Sequence, residues 1–356
     1  MSTIRDMTAM DVHRDPSARP FRVPSGSGPL GLLLLGCGRF AGFHARAARR
    51  LGGAVRLAFA SRDPARAELY RRQFRGFAAF GSYETAAADP RVDAVIVCTP
   101  HHLHEGNARM AAAHGKAVLL EKPIARTLAE ADAILSAARS AGVVLMVAEN
   151  AHFMPAFAMS RAYVADGAIG EVRQLLVTAR GLGRLSGWRG RREEMGGGLL
   201  IDGGVHYMHL LRAWGGPVDE VMALAPPNAL PGVEGEDSVF LLLRFRSGAI
   251  GGLASSVAAP GLPRWQWAWG TGTQGSLGVD CRGRALWMRG RSGTRLRMFV
   301  RDRRGLVAQL TEFVGAVRGG RAPSLAPESA RADLALVLAA YRSLDTRLPE
   351  RPEGPS

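Results

Sequence analysis

Short apolar runs alternate with amphipathic stretches from residue 29 to residue 150. The runs are rich in Val, Ile and Leu and lack a polar face, which is typical of parallel strands buried on both sides. They predict strands at residues 30–35, 54–60, 94–98, 117–120 and 143–148. The intervening stretches predict helices at residues 39–51, 63–74, 103–114 and 127–140, with N-caps at Asp63 and Thr127. This half of the chain is therefore predicted to be doubly wound α/β.

The pattern changes after residue 150, where apolar segments are separated by longer, turn-rich connections. They predict antiparallel strands at residues 172–178, 238–245, 249–257 and 285–288, interrupted by a helix at residues 200–214. Two further helices are predicted at residues 307–318 and 328–344. Between residues 282 and 304, arginines are interleaved with Leu, Trp, Met and Phe. We interpret this segment as two strands with a solvated outer face, the alternative being a polyanion site.

A chain of 356 residues is long enough for two domains. We place them at residues 29–150 and 151–346, with a flexible leader at 1–28 and a polar tail at 347–356. The longest apolar run, residues 30–35, is too short to cross a bilayer, so no membrane association is expected. Three widely spaced cysteines suit a reducing compartment, and we expect the cytoplasm.

The net charge of +15 raises the question of nucleic-acid binding. Of the 46 basic residues, however, only Lys116 and Lys122 are lysines, and the arginines are spread along the whole chain. Such a skew indicates a general compositional bias rather than a surface built for one partner. The chain also has no nucleic-acid-binding motif, so no nucleic acid is expected as a partner, whereas anionic small molecules fit the charge.

A glycine-rich loop connects the first predicted strand to the first predicted helix. It reads Gly36-Cys37-Gly38-Arg39-Phe40-Ala41. Gly36 permits a tight turn, Gly38 lets the backbone approach a pyrophosphate, and the small Ala41 lets helix and strand pack closely. The helix N-terminus offers unpaired N–H groups to the anion. The loop and its place in the fold predict a dinucleotide site.

The end of the second predicted strand bears on the choice between NAD and NADP. An acidic residue there would bind the ribose 2′-hydroxyl, but the chain has Ser61 and Arg62, which suit a 2′-phosphate. Asp63 follows, although capping a helix is a sufficient role for it. We therefore favour NADP(H) and keep NAD(H) as the alternative.

Three more segments carry polar residues at defined places in this pattern: Cys98-Thr99-Pro100 with His104 and Glu105, then Glu121-Lys122-Pro123, then a glycine run followed by Asp202 and His206. With the glycine-rich loop, these motifs and their order resemble the glucose–fructose oxidoreductase, inositol dehydrogenase and rhizopine-catabolism family, over about residues 29–344. The resemblance implies a Rossmann domain followed by an α+β domain with a large, mainly antiparallel open sheet. It also implies a homo-oligomer, either a dimer or a tetramer, and a sugar or cyclitol substrate.

The resemblance and the motifs together nominate site residues. Lys122, Asp202 and His206 are the expected catalytic residues. The expected cofactor contacts are Gly36, Gly38, Arg39, Phe40, Ala41, Ser61, Arg62, Thr99, Pro100, His104, Glu121 and Lys122. The expected substrate contacts are Lys122, Asn150, Phe153, Asp202 and His206. No metal site is predicted.

The chemistry of alcohol oxidation agrees with these roles. A hydride leaves carbon and a proton leaves oxygen, and histidine titrates where a base for that proton is needed. We therefore expect His206 to accept the proton, Lys122 to polarise the substrate oxygen and Asp202 to orient the pair. Each residue also has a structural alternative. Lys122 can be a solvated loop charge, Asp202 a helix-start residue and His206 a core histidine.

The chain departs from the family pattern at two positions. His209 stands three residues after His206, where family members often have Asp, and His152 stands where they often have Arg. Substrate preference is therefore open. Asp202, His206 and His209 can also be interpreted as metal ligands, but their spacing matches no metal motif. A neighbouring histidine group at residues 101, 102 and 104 fits the edge of the site and a helix start better than a metal.

Other functions stay open at this point. Arginines at residues 180, 184, 189, 191 and 192 allow a nucleotide-linked or phosphorylated ketosugar as substrate, or they are ordinary surface residues. A non-catalytic, dinucleotide-sensing regulator is a third possibility, although it would not need Lys122, Asp202 and His206. Trp265, Trp267 and Trp269 alternate along a possible strand and can stack on a substrate ring or lie in a subunit contact.

Overall fold

The computed structural model describes residues 21–24, 26–261, 264–291 and 293–354. Most of the predicted leader, residues 1–28, lies outside the described residues, as do the last two residues of the predicted tail. No helix within the described ranges is long and apolar enough to span a membrane.

The first sheet consists of strands β1 (Leu30–Leu35), β2 (Val55–Ala60), β3 (Ala78–Phe80), β4 (Ala94–Val97), β5 (Ala117–Glu121) and β6 (Leu145–Ala148). All pairs are parallel, and the order is β3-β2-β1-β4-β5-β6. Strand β1 is buried along its whole length, and its side chains join one apolar cluster on each face of the sheet. The order reverses at β1, so the loops after β1 and β4 lead to opposite faces and leave a crevice at the carboxyl ends of these strands.

Helices that connect or flank these strands are α1 (Arg39–Arg49), α2 (Pro64–Phe74), α3 (Tyr83–Ala88), α4 (His104–Ala113), α5 (Leu128–Ala141) and α6 (Asn150–Phe153). The predicted caps are confirmed, since Asp63 accepts from the amides of α2 and Thr127 accepts from Glu130 at the start of α5.

The second sheet contains β7 (Val172–Arg180), β8 (Val218–Leu224), β9 (Ser238–Phe245), β10 (Ile250–Ser256), β11 (Trp265–Gly272), β12 (Gly275–Asp280), β13 (Ala285–Gly290) and β14 (Gly293–Met298). Its order is β14-β13-β12-β11-β7-β10-β9-β8. All neighbours are antiparallel except β7 and β10. The remaining helices are α7 (Pro155–Ala165), α8 (Arg192–Met195), α9 (Val205–Gly215), α10 (Leu306–Gly319) and α11 (Pro327–Thr346).

One face of the second sheet packs against helices, and the other is open. Along β9, buried and exposed residues alternate, as expected when only one face is covered. Helices α7, α9 and α11 contact the covered face. On the open face, Leu242, Leu176, Trp269 and Leu296 lie in one cross-strand row and are each at least 40% exposed. The sheet therefore presents a broad apolar surface.

The predicted fold class is confirmed, with a Rossmann-type parallel sheet followed by a mainly antiparallel sheet. Strands 285–288 and the arginine-rich pair around them are also confirmed as the hairpin of β13 and β14, whose second strand is exposed throughout. The pattern missed β3, which has only three residues, and β12, whose glycines interrupt its apolar character. It also missed β8 and the helices α3, α6, α7 and α8. Helix α10 packs its buried face into the core of the first sheet, against α1, although it follows the second sheet in the chain.

Candidate active site

A cavity of about 750 Å³ lies at the carboxyl ends of the first-sheet strands, with the second sheet forming its opposite wall. Most of the nominated residues line it: Gly36, Gly38, Arg39, Phe40, Ser61, Arg62, Thr99, Pro100, His104, Glu121, Lys122, Asp202 and His206. Three nominated residues do not. Ala41 is fully buried behind the loop, which agrees with a packing role. Asn150 and Phe153 also lie outside the lining.

The glycine-rich loop has the shape that a dinucleotide needs. Gly36 has a φ of +87°, and a Cβ there would lie 3.1 Å from the carbonyl oxygen of Cys98, so a side chain would be strained and crowded. A Cβ on Gly38, in contrast, would meet nothing within 4 Å. Gly38 is the N-cap of α1, which has no side-chain cap and no acidic residue in its first turn. The N–H groups of this turn are therefore available to an anion.

At the end of β2, the cavity lining is basic. Ser61 is buried, and its hydroxyl accepts a hydrogen bond from the amide of Asp63. Asp63 in turn accepts from the amides of Ala65 and Arg66 at 3.0 and 3.3 Å, so its carboxylate caps α2. Arg62 has no carboxylate partner among the described residues. Arg66, on the first turn of α2, also lines the cavity and was not predicted.

Lys122 is held by Asp202. Its ammonium donates to the backbone carbonyl of Asp202 and lies 3.4 Å from the Oδ1 atom of the same residue. Arg189 donates to the other carboxylate oxygen, Oδ2, at 3.1 Å, and its guanidinium stacks on Trp188. Burial would raise the pKa of Asp202, but the charges of Lys122 and Arg189 outweigh it and hold that pKa well below the ordinary value. Asp202 is therefore a carboxylate that fixes two cations.

His206 is oriented by Glu149. Its Nδ1 atom lies 2.6 Å from Oε1 of Glu149, which is almost fully buried. A carboxylate only accepts, so Nδ1 carries the hydrogen and donates it. In the neutral imidazole, Nε2 is then unprotonated and can accept a proton in the cavity. Burial opposes the charge of Glu149, but the charge of His206 and the hydrogen bond with it outweigh burial and, together with His209 and Lys122, lower the pKa of Glu149 to about 2.

Sequence reasoning missed this role of Glu149 and expected Asp202 to orient both partners. In the part of the chain that the structure describes, no side-chain hydrogen bond or ion pair joins Asp202 to His206. A π-helical turn, Leu200–Gly204, carries Asp202, and α9 begins after it with His206 in its first turn. Asp202 is therefore paired with two cations, Lys122 and Arg189, whereas His206 is paired with one carboxylate, Glu149. The position of Glu149, directly after β6, was the available signal, because ligands bind at strand ends.

His152 and His209, the two residues that depart from the family pattern, contact each other. Nδ1 of His152 lies 3.0 Å from Nε2 of His209, and Nδ1 of His209 lies 2.9 Å from Oδ2 of Asp333. Burial would lower the pKa of His209, but Asp333 outweighs burial and raises it. Burial, with Arg161 and His209 nearby, lowers the pKa of His152 to about 3. His209 is therefore the ring of the pair that protonates more readily, and its Nδ1–H donates to Asp333.

Asn150 and Phe153 serve the packing between α6 and neighbouring segments. The side-chain amide of Asn150 donates to the carbonyl of Arg304 at 2.7 Å, and Phe153 packs against the core of the first sheet. His206 and His209 have different partners, so they do not converge with Asp202 on one point. Within the described ranges, no group of three or more His, Cys, Asp or Glu side chains is arranged to hold a metal.

Two buried histidines support the strand ends that carry nominated residues. His44 on α1 lies 2.7 Å from Oε1 of Glu121, which ties the residue before Lys122 to the helix after the glycine-rich loop. The ring nitrogens of His104 lie 2.9 and 3.1 Å from the carbonyl oxygens of Pro123 and Thr99. These bonds hold the segments after β4 and β5 in a fixed arrangement around the cavity.

Comparison with protein-family models agrees with this architecture. Residues 30–149 match the Gfo/Idh/MocA oxidoreductase family with an NAD-binding Rossmann fold. Residues 157–278 match the C-terminal domain of the same family. The chain belongs to the Gfo/Idh/MocA oxidoreductase family. The resemblance inferred from the motifs is thereby confirmed.

Named members of the Gfo/Idh/MocA family resemble parts of the chain. The trans-1,2-dihydrobenzene-1,2-diol dehydrogenase of Mus musculus is 33% identical over 220 residues, which cover 60% of this chain and 64% of that protein. The levoglucosan dehydrogenase of Pseudarthrobacter phenanthrenivorans is 30% identical over 251 residues, covering 63% and 64%. The matches thus span less than two thirds of these relatives. A solved levoglucosan dehydrogenase in complex with NADH has the same fold, with a TM-score of 0.86, 23% identity and coverage of 92% of this chain and all of that one.

Proposed function

We propose that the chain is an NADP(H)-dependent oxidoreductase that interconverts a secondary hydroxyl group and a ketone on a sugar or cyclitol. One observation carries this proposal. An imidazole with a free Nε2 and a buried ammonium line the same cavity as the glycine-rich loop, and each is oriented by its own carboxylate. The family and the named relatives, which include a levoglucosan dehydrogenase, support an alcohol substrate.

His206 is the proton acceptor in oxidation and the donor in reduction. Glu149 fixes the tautomer in which Nε2 has a free lone pair, and it stabilises the imidazolium that forms when the proton arrives. Because Glu149 is buried, its charge acts through a low dielectric and is poorly screened. The imidazolium form of His206, produced when it accepts the proton, thus has a fixed counter-ion in Glu149.

Lys122 polarises the oxygen of the reacting carbon. Its ammonium is almost fully buried, and Asp202 compensates its charge without using all three of its N–H donors. A free donor can bind the substrate oxygen while alkoxide character develops on it. Arg189 holds Asp202 from the other side, so Lys122 is positioned by a fixed carboxylate rather than by a mobile one.

The nicotinamide cofactor supplies the hydride acceptor or donor, and residues of this chain fit it. The first turn of α1 and the open space at Gly38 suit the pyrophosphate. Arg62 and Arg66 support the 2′-phosphate of NADP(H), since Asp63, the acidic residue nearby, is occupied as a helix cap.

Fluorescence titration with NADPH and with NADH tests the proposal, followed by a screen of sugars and cyclitols with the preferred cofactor. We expect tighter binding of NADPH, and an Arg62→Gln variant should lose about tenfold in NADPH affinity while keeping its NADH affinity. Tighter binding of NADH would contradict the choice of cofactor alone. A folded protein that binds neither dinucleotide would contradict the function itself.

The open face of the second sheet favours a homo-oligomer formed by contact with a second copy. Its exposed apolar row crosses strands β9, β7, β11 and β14, and isolated monomers rarely expose so broad an apolar surface. Trp269 belongs to this row, and Trp265 and Trp267 lie beside it on β11. None of the three lines the cavity, so they suit a subunit contact rather than a substrate ring. We place the domain boundary, as from the sequence, between residues 150 and 151.

A further inference from the structure

One wall of the cavity carries arginines that the reaction does not use. Of the five arginines nominated from the sequence, Arg180, Arg184 and Arg189 line the cavity, and Arg191 and Arg192 do not. Arg191 pairs instead with Glu194 at 2.8 Å. A further arginine, Arg264 at the start of β11, joins the lining.

Three of these cations have no internal counter-ion. Arg189 is committed to Asp202 and stacks on Trp188. For Arg180, Arg184 and Arg264, in contrast, the described residues provide no carboxylate partner. We call these three residues the arginine wall.

The wall is held in place by backbone hydrogen bonds. The segment after β7 pairs with the segment after β10: Gly181 donates to Ser256 at 3.1 Å, and Gly183 donates to Val257 at 2.8 Å. Gly181 also leaves room for Arg264, because a Cβ at Gly181 would lie only 2.7 Å from Cγ of that arginine. Arg264, His206 and Tyr207 line the same cavity. The wall therefore belongs to the same compartment as the proton acceptor.

The carboxylates of the cavity are all engaged elsewhere. Asp63 caps α2, Glu121 pairs with His44, and Asp202 holds Lys122 and Arg189. Among the residues that the structure describes, no other Asp or Glu lines the cavity. The wall thus carries uncompensated positive charge in a concave site, which attracts anions and favours forked hydrogen bonds to their oxygens.

We infer that the substrate carries an anionic group, a carboxylate or a phosphate, which Arg184 and Arg264 bind with Arg180 while the reacting hydroxyl lies at Lys122 and His206. This inference rests on the proposed function and narrows its substrate class to acidic or phosphorylated sugars. The cofactor phosphates are served by a different set of groups, at the starts of α1 and α2 in the first domain.

Calorimetric titration of the NADPH-loaded protein tests the inference without requiring turnover. The probes are D-glucuronate, D-glucose 6-phosphate and neutral D-glucose. We expect one of the two anions to bind at least about tenfold more tightly than glucose. The comparison between them tells a carboxylate site from a phosphate site.

The variant is the double substitution Arg184→Gln and Arg264→Gln, which avoids Arg180 because that residue also borders the open sheet face. It should lose about tenfold in anion affinity for each arginine removed, with glucose and NADPH binding unchanged. The control is Arg173→Gln with Arg297→Gln, two exposed strand arginines outside the cavity.

Equal affinity for glucose and both anions would overturn the inference, and so would the same loss in the control. Loss of NADPH binding in the arginine-wall variant would also overturn it, because the wall would then serve the cofactor. Failure of the unmodified protein to bind either dinucleotide would instead contradict the proposed function, and a protein that binds only NADH is titrated as its NADH complex.

Discussion

Replacing Glu149 by Gln tests the orientation of His206 most directly. The two side chains have the same shape, so the amide oxygen of Gln can still accept from the backbone N–H of Ala151, as Glu149 does at 3.0 Å. The cap of α6 is therefore preserved, and the protein should fold and bind cofactor normally. The substitution removes the negative charge next to the imidazole. It also permits a second tautomer of His206, with an unprotonated Nδ1, because a Gln amide can donate to Nδ1.

The expected size of the effect follows from the pKa of Glu149. Burial opposes its ionisation, yet His206, His209 and Lys122 lower the pKa from 4.5 to about 2. A change of that size corresponds to about 3 kcal/mol in favour of the carboxylate. The interaction is mutual, and His206 is the neighbour that is hydrogen-bonded at 2.6 Å. The buried carboxylate is therefore a hydrogen-bonded counter-charge for the imidazolium that forms when His206 accepts a proton.

Steady-state kinetics over a range of pH measures both consequences. In Glu149→Gln, kcat/KM should fall across the measured pH range, for oxidation and reduction alike, because the imidazolium loses its counter-ion. The rate at neutral pH should fall by about 100-fold or more because part of the population holds the wrong tautomer. Glu149→Asp, which keeps the charge, should retain more activity than Glu149→Gln at each pH. An unchanged rate and profile in a folded, NADPH-binding Glu149→Gln protein would refute this role.

Three further predictions concern the lysines, the histidine pair and the open sheet. Lys122→Met should lower kcat by about 1000-fold while NADPH affinity stays the same. The control, Lys116→Met, removes donors to two backbone carbonyls and should reduce only the free energy of unfolding. Equal activity losses in the two variants would contradict the catalytic role of Lys122. His209 has a raised pKa, so its charged pair with Asp333 stabilises the fold fully below the unfolded pKa of 6.5 and loses that effect as pH rises through the folded value. Urea unfolding of His209→Gln should therefore show a larger deficit at about pH 6 than at about pH 9, and a deficit independent of pH would exclude this linkage. Leu242→Glu, on the exposed row, should shift the mass measured by light scattering from oligomer to monomer, while an unmodified protein that is already monomeric would contradict the proposed contact.

Much of the architecture was predictable because it depends on local patterns. Continuous apolar runs specify strands buried on both faces, and the caps at Asp63 and Thr127 specify where two helices begin. The glycine-rich loop was recognisable for the same reason, since its function requires glycine at particular backbone positions. Lys122 and His206 were nominated from their motifs, and both line the cavity.

The partners of these residues were not predictable. Glu149 and His206 are 57 positions apart, and their contact exists only because β6 ends opposite the first turn of α9. The same holds for His152 and His209, which looked like two independent departures and form one buried pair. The motifs led us to expect that Asp202 would orient His206, but the structure pairs His206 with Glu149 and Asp202 with Lys122 and Arg189.

The sequence by itself determined the elements, the glycine-rich loop and the types of residue at the site. Those features follow from periodicity, capping and backbone freedom, which act over a few neighbouring residues. Only the tertiary structure decided which carboxylate orients which cation, which arginines face the cavity and where α10 packs. Such pairings depend on strand order and on the register of distant segments, and residue spacing along the chain carries no record of either.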